Sequence, residues 1–400
     1  MSEVDFLIVG GGDAGFSAAR TLREEGATGS ILVVSRDPEP PYDRTAVSKG
    51  FLGGEKSHDD VLLGGAEWFR EHDVGLLNRT SALKLDPEAH TVTLSNRDVV
   101  KYGKLLLATG ANVNRLRIPG GDLDGIHYLR TLGNADSIRR DTEGTEHVVL
   151  VGGSYIATEV AATLTSLGRN CTIVMQEQVT LERTFGKTAG GYFQKVLSDH
   201  GVEIHGGEDV EHFEGSGRVE AVVTKSGLRL PANAVIVGAG VHPDVSLAVK
   251  AGLEIGDRGG VKTDATLRTS APDVFAAGDI AEYQSVVHGG HVRIEHWDVA
   301  EQQGKTAARS MLGRTDPHEV IPYFFSDLSD WTWFEYVGPA YHWTEELVRG
   351  SLDDGRFTVW YLEGDRLVAA LSVDRSDDLE RARELIASRA PVDREELAAA

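Results

Sequence analysis

A strand, a glycine-rich turn and a helix recur twice in this chain, and the recurrence limits what the chain can fold into. Val4 to Val9 is a short, almost continuously apolar run, the pattern of a buried parallel strand. Gly10-Gly11-Gly12 follows, then a predicted helix from Asp13 to Glu25 with Ala14, Ala18 and Leu22 on its inner face, then a strand from Ser30 to Ser35. The same order returns at His147 to Val151, Gly152-Gly153-Ser154, a helix running through Leu167, and a strand from Cys171 to Met175. Each copy is a βαβ unit. A duplicated βαβ unit predicts an α/β protein with two Rossmann-like dinucleotide-binding domains.

The first turn reads Gly10-x-Gly12-x-x-Gly15, between a strand and a helix. The first glycine permits the tight turn, the second lets backbone approach a pyrophosphate, and the third lets helix and strand pack closely. The diphosphate is expected on the helix N-terminus, beside Asp13 and Ala14, where free N–H groups and the helix dipole favour anions. A carboxylate after the second strand is expected to hold the adenosine ribose. That strand ends Ser35-Arg36-Asp37, so Asp37 is the only candidate, one place late, with Arg36 before it. The second turn reads Gly152-x-Ser154-x-x-Ala157, where serine and alanine replace two glycines but keep the turn small.

Between the two units lie a meander (Val74 to Val100) and the segment Lys104 to Gly110, whose counterpart is Ala234 to Gly240. Val274 to Asp279 closes the core. From about Pro317 aromatics cluster between Tyr323 and Trp343, then strand-like runs (Phe357 to Leu362, Leu367 to Val373) lead into a charged helix. The expected domains are residues 1–112 with 240–316, residues 113–239, and a C-terminal α+β domain over 317–400. The aromatic cluster is expected to serve core and dimer packing. The acidic runs Asp353-Asp354 and Asp377-Asp378 read as solvated faces.

A formal net charge of -22 argues against nucleic acid or an anionic membrane as partner. No apolar run approaches the ~20 residues that span a bilayer, and the first residues enter a strand with no basic leader. The single cysteine, Cys171, excludes an intrachain disulfide and fits a reducing compartment. The expectation is a cytoplasmic protein. His288, His291 and His296 lack the spacing and further ligands of a metal site, so no metal is expected.

With Ala108-Thr109-Gly110 and Gly278-Asp279, the two units resemble the FAD/NAD(P)H flavoprotein reductases with two dinucleotide-binding domains, over essentially the whole chain. The resemblance is greatest to the ferredoxin and rubredoxin reductases of oxygenase systems, with apoptosis-inducing factor and monodehydroascorbate reductase as relatives. It rests on Pro41-Tyr42-Asp43-Arg44 leading to Ser48-Lys49, on Leu105 to Gly110, Ser154 to Glu159 and Ala276 to Asp279, on Glu295-His296-Trp297, and on Pro322 to Asp327. It implies FAD on the first unit, contacted by Gly10, Gly12, Asp13, Ala14, Gly15, Arg36, Asp37, Arg44, Lys49, Ala82, Ala108, Thr109, Gly110, Arg130, Gly278, Asp279, Glu295, His296, Trp297 and Phe325. It implies a nicotinamide nucleotide on the second, contacted by Gly152, Gly153, Ser154, Tyr155, Ile156, Glu159, Glu177, Gly240 and Glu335. It also implies that Lys49 pairs with Glu159 beside the flavin N5, where a cation stabilises charge arriving with hydride. The chain departs from the family at Thr45-Ala46-Val47, where Pro-Pro-Leu is usual. It departs again near Asn112, where arginine is usual, and near Arg36, where an acid is usual.

Glu177 at the end of the Cys171 strand can bind a ribose diol and repel a 2′-phosphate, which favours NADH; Arg183 nearby keeps NADPH open. The flavin-crossing segment Pro41 to Lys49 has no cysteine, so electrons should leave the flavin directly. The leading expectation is an NADH-dependent reductase passing single electrons to a ferredoxin or rubredoxin that serves an oxygenase or cytochrome P450. The alternatives are an NADH:quinone or small-molecule reductase, and an NADH-sensing flavoprotein like apoptosis-inducing factor.

Overall fold

Strand-forming runs of valine, isoleucine and leucine build the frame. A computed structural model describes residues 2–339 and 341–399. Contacts divide them into two compact units: residues 2–44, 58–112 and 242–324 form the first, and 45–57, 113–241 and 325–399 the second.

The first unit is organised by one sheet. Val74–Leu77, Ile31–Val34, Ser2–Val9 and Val99–Leu107 lie side by side in that order and run parallel. Val274–Ala276 also pairs parallel with Val99–Leu107, and Thr91–Leu94 and Ala82–Asp86 extend the sheet antiparallel. Val9 lies opposite Val34 on one side and Leu107 on the other. The strand ends are therefore level, and their turns open on one edge, where parallel α/β sheets bind ligands. The helix Asp13–Glu24 buries Ala14, Ala18 and Leu22, as its apolar spacing predicts. It packs on the helix Trp297–Met311, which offers Ala300, Ala307 and Ala308. A side chain at Gly304 would lie 2.3 Å from the carbonyl oxygen of Ala14, so glycine lets the two backbones approach.

The second unit holds the repeat. Its parallel sheet runs Glu203–His205, Asn170–Val174, His147–Val151, Ala234–Val237, Ile126–His127. The helix Tyr155–Ser166 follows the central strand, as Asp13–Glu24 does in the first unit. Its C-terminal part is an antiparallel sheet in which Thr332–Val337, Arg366–Val373, Arg356–Glu363 and Glu345–Ser351 are successive neighbours. Six consecutive residues of Arg356–Glu363, Phe357 to Leu362, are buried, so the sheet is covered on both faces. The helix Asp377–Ser388 covers one; Phe185 and Phe193 of the segment Glu182–Asp199 pack on Phe334 and Tyr336. Phe334 and Tyr336 are thus core, whereas Phe325, Trp333 and Tyr341 are exposed. Among the described residues no helix is long and apolar enough to cross a membrane.

One expectation is corrected. Asp378 is not part of a solvated face but 8% exposed. It accepts from Arg349 Nη1 at 2.8 Å, Arg375 Nε at 2.9 Å and Thr358 Oγ1 at 2.7 Å. Arg375 lies three residues before Asp378, but Arg349 comes from the strand Glu345–Ser351 and Thr358 from Arg356–Glu363, so the Asp-Asp pair alone does not reveal the site. Asp378→Ala would strand both guanidinium groups. Because these are partly exposed, the expected loss is about 2–4 kcal/mol, under the full cost of breaking a wholly buried pair. That lowers the thermal unfolding midpoint by roughly 4–10 °C. A midpoint unchanged within error would return Asp378 to the solvated class.

Candidate functional site

In the first unit the turn after Val9 is shaped by close backbone approach. Gly10 has φ +126°, and a Cβ there would lie 1.9 Å from the carbonyl oxygen of Ala108. At Gly15 a Cβ would lie 1.9 Å from the carbonyl oxygen of Gly10. The helix Asp13–Glu24 begins at Gly12 with no side-chain cap, which leaves its first N–H groups open to an anion. Arg44 stands beside this end, its Nε 3.8 Å from where a Cβ of Gly12 would sit. The guanidinium lies over the ring of Tyr42, 5.0 Å from its centroid. Burial pushes the carboxyl of Asp13 up to about 7, with Asp43 and Asp279 adding and Arg44 opposing.

The other expected residues of this unit make separate contacts. Thr109 Oγ1 donates to the carbonyl of Asp244 at 2.7 Å, and Gly110 accepts from the N–H of Asp244. Gly278 lies against Ala14, its would-be Cβ 3.2 Å from that of Ala14, and Asp279 follows it. His296 precedes the helix that Trp297 begins; its ring lies 4.4 Å from Phe324, and burial pushes its imidazole down to about 3. Glu295 is exposed and pairs with Arg293 at 2.6 Å. Ala82 opens the outermost strand. The carboxylate of Asp37 is engaged within the unit, by Tyr42 Oη at 2.9 Å and Arg44 at 3.8 Å. Arg36 turns instead to Asn112 Oδ1 at 2.6 Å and Asp244 at 2.9 Å. Two of the departures noted in the sequence, at residues 36 and 112, therefore meet each other.

In the second unit a cleft of about 330 Å³ opens at the equivalent turn. Gly152, Gly153, Ser154, Glu177 and Gly240 line it, as do Met175, Arg183, Glu208, Asp209 and Gly238. Gly152 has φ +112°, and its would-be Cβ lies 2.6 Å from the carbonyl oxygen of Gly238. Ser154 spends its hydroxyl on that same carbonyl at 2.9 Å and does not cap the helix Tyr155–Ser166. Serine thus replaces the middle glycine without closing the anion end. Glu177 is held by Arg183 Nε at 2.5 Å. With Glu208 and Asp209 it makes the rim acidic. Ile156 follows Tyr155 in the helix's first turn, and the ring of Tyr155 packs edge-on against Phe185. Glu335 is not among the lining residues; it sits on the C-terminal sheet, where Ser376 donates to it.

Glu159 projects from the same helix into a charge cluster. Lys49 Nζ stands 3.7 Å from Glu159 Oε1, but nearer to Asp327 Oδ2 (2.9 Å) and Ser326 Oγ (3.0 Å). Ser326 and Ser48 each donate to Glu159 at 2.5 Å, one to each carboxylate oxygen. Phe325 lies next to the cluster, its ring 5.9 Å from Lys49 Nζ. Arg130, in the same unit, precedes the helix capped by Thr131. Sequence reasoning missed Ser48, Ser326 and Asp327 as partners. All three stand in quoted motifs, Ser48 beside Lys49 and the other two in Pro322 to Asp327, and that was the available signal.

Cys171 lies buried in Asn170–Val174, and burial pushes its thiol up to about 11. It is neither an accessible nucleophile nor paired.

Residues 4–304 match the protein family described as pyridine nucleotide-disulphide oxidoreductase, and residues 323–400 match that described as reductase C-terminal. The chain is 32% identical over 396 residues to rhodocoxin reductase of Rhodococcus erythropolis, covering 99% of this chain and 92% of the relative. It is 34% identical over 402 residues to the ferredoxin–NAD(+) reductase component of the anthranilate 1,2-dioxygenase system of Burkholderia cepacia, covering 100% and 98%. The covalent putidaredoxin reductase–putidaredoxin complex contains a chain of the same fold, with TM-score 0.94 and 31% identity, covering 100% of this chain and 96% of that one.

The acidic rim yields a test. Glu177→Gln removes one carboxylate and frees Arg183, so preference should shift from NADH toward NADPH by about tenfold, equivalent to ~1.4 kcal/mol. The KM values for the two nucleotides measure it. An unchanged ratio would show that Glu177 does not face the adenosine ribose.

Proposed function

Because the chain belongs to the pyridine nucleotide-disulphide oxidoreductase family, we propose that it is an FAD-dependent NADH oxidoreductase. In this reading it passes single electrons to a small iron–sulfur protein, a ferredoxin or rubredoxin that serves an oxygenase or P450. The observation that carries the reading is a pair of glycine-turn cradles, one in each unit, in a chain whose single cysteine is buried. Residues 1–112 and 240–316 would form the FAD domain, 113–239 the nicotinamide domain, and 317–400 the C-terminal domain. An unpaired cysteine suits the cytoplasm.

The first unit fits FAD. Gly10 and Gly15 leave no room for side chains, the helix N-terminus is open, and Arg44 stands beside it. Gly10, Gly12, Asp13, Ala14 and Gly15 would take the diphosphate, and Asp279 the ribityl chain. Bound FAD supplies the chemistry that couples a two-electron donor to a one-electron acceptor. Gly152, Gly153 and Ser154 would take the diphosphate of NADH, and Glu177 its ribose diol.

In the reaction Lys49 offers positive charge where negative charge develops. Asp327 and Ser326 fix its ammonium, while Ser48 and Ser326 fix Glu159. A fixed carboxylate and a fixed ammonium need little rearrangement during hydride transfer, which is why preorganised charge is effective. The lone thiol, raised well above neutrality, offers no route for disulfide chemistry. The relatives' names support the acceptor: one is a rhodocoxin reductase and another a ferredoxin–NAD(+) reductase component.

Anaerobic stopped-flow mixing of the NADH-reduced protein with acceptors tests the proposal. Reduction of a ferredoxin or rubredoxin should outpace that of a quinone. Preference for a quinone would assign a small-molecule reductase. A reduced state lasting minutes in air, with changed oligomeric state, would assign a redox sensor. Lys49→Ala should slow flavin reduction by NADH roughly 100-fold, with a much smaller effect on FAD retention. Unchanged reduction kinetics would remove Lys49 and Glu159 from the reaction.

A further inference from the structure

The helix Asp13–Glu24 begins with an acid, at the turn where a diphosphate would bring two further negative charges. Asp13 stays partly exposed, whereas Ala14, Gly15 and Phe16 behind it are buried. It therefore lies on the open side of the turn. A lone carboxylate is favourable at a helix N-terminus, because the free N–H groups and the dipole attract anions. Here the same positive end is what the diphosphate needs.

The surrounding charges do not resolve the conflict. Asp43 and Arg44 act on Asp13 from the segment after Asp37, and Asp279 from the turn after Val274–Ala276. Arg44 is the one cation among these groups, and Asp37 shares it at 3.8 Å. Arg293 reaches the carbonyl of Asp279 at 3.1 Å but pairs with Glu295. Burial keeps His296 neutral, its imidazole pushed down to about 3. The helix Trp297–Met311 packs alanines and Gly304 on Asp13–Glu24, and its Glu301 pairs with Arg20 at 3.0 Å. The carboxyls of Asp13, Asp43 and Asp279 thus share one guanidinium before any ligand arrives. Where like charges crowd, one carboxyl keeps its proton. Burial already brings that of Asp13 up to about 7, so a proton is readily held near neutrality.

We propose that Asp13 binds FAD as the neutral acid: binding takes one proton from solvent onto its carboxyl, and the O–H donates to an oxygen of the diphosphate. The proposal rests on the reading that this unit holds FAD. It makes cofactor binding proton-linked. A group protonated in the complex but ionised in the free protein favours the complex at low pH, and affinity falls as pH rises through the free protein's value. FAD itself has no group that titrates near neutrality.

Apoprotein is titrated with FAD from about pH 6 to about pH 9, followed by quenching of flavin fluorescence. The dissociation constant should be nearly flat on the acid side and rise above about pH 7, approaching about tenfold per pH unit. Calorimetry at about pH 8, in two buffers of different ionisation enthalpy, should show uptake approaching one proton per FAD. Asp13→Asn keeps the shape and a donor but cannot ionise, so its dissociation constant should stay flat over the same range. Absence of proton uptake by the unsubstituted protein overturns the proposal. So does an Asp13→Asn protein that keeps the slope, since the proton then sits elsewhere. If Asp13→Asn fails to fold, Asp13→Ser decides by the same criterion. Unsubstituted protein that takes up no FAD at any pH would overturn the parent reading instead.

Discussion

A methyl group on Gly10 would overlap the carbonyl oxygen of Ala108, and one on Gly15 would overlap the carbonyl of Gly10. Backbone lies on backbone across the turn, and no other residue type can be accommodated there. That close approach brings the start of Asp13–Glu24 to the edge of the sheet with its N–H groups open. The packing of Asp13–Glu24 against Trp297–Met311 through Gly304, and the placing of Gly278 beside Ala14, both follow from it. The second unit repeats the device at Gly152 and Gly238 with a looser fit, a would-be Cβ 2.6 Å from the carbonyl oxygen in place of 1.9 Å.

The electrostatics of the second unit are those of a charged site held rigid. Lys49 faces two carboxylates, Asp327 and Glu159; Ser326 Oγ bridges Lys49 and Glu159, and Ser48 donates to the other oxygen of Glu159. One cation shared by two anions would be costly if buried without further partners. Here both oxygens of Glu159 accept hydrogen bonds, so its charge is satisfied whichever partner Lys49 favours. The cleft at Gly152 is ringed by Glu177, Glu208 and Asp209, with Arg183 already committed to Glu177. An added 2′-phosphate would meet more negative than positive charge.

Much of this was legible in the sequence because it is local. The glycine turns, the strands before them and the inner faces of the helices depend on residues a few positions apart, so their spacing reveals them. Ser154 was read as a small replacement that keeps the second turn; its hydroxyl is absorbed by Gly238, a partner 84 positions away that no local pattern flags. Separation in sequence likewise hid Asp327 from Lys49, Asn112 from Arg36, and Arg349 from Asp378. Asp378 was misread for a physical reason: a carboxylate in a charged run looks solvated until the fold supplies guanidinium groups.

Within a family whose name joins pyridine nucleotides to disulphides, this chain keeps both nucleotide turns and has one buried thiol. In the proposed reaction electrons cross from nicotinamide to acceptor with no thiol between. Its most direct test is an anaerobic titration of the holoprotein with dithionite, followed by visible absorbance and by thiol counting. Uptake should end at two electrons per flavin with the thiol count unchanged. An endpoint of four electrons, or a change in reactive thiols on reduction, would contradict it.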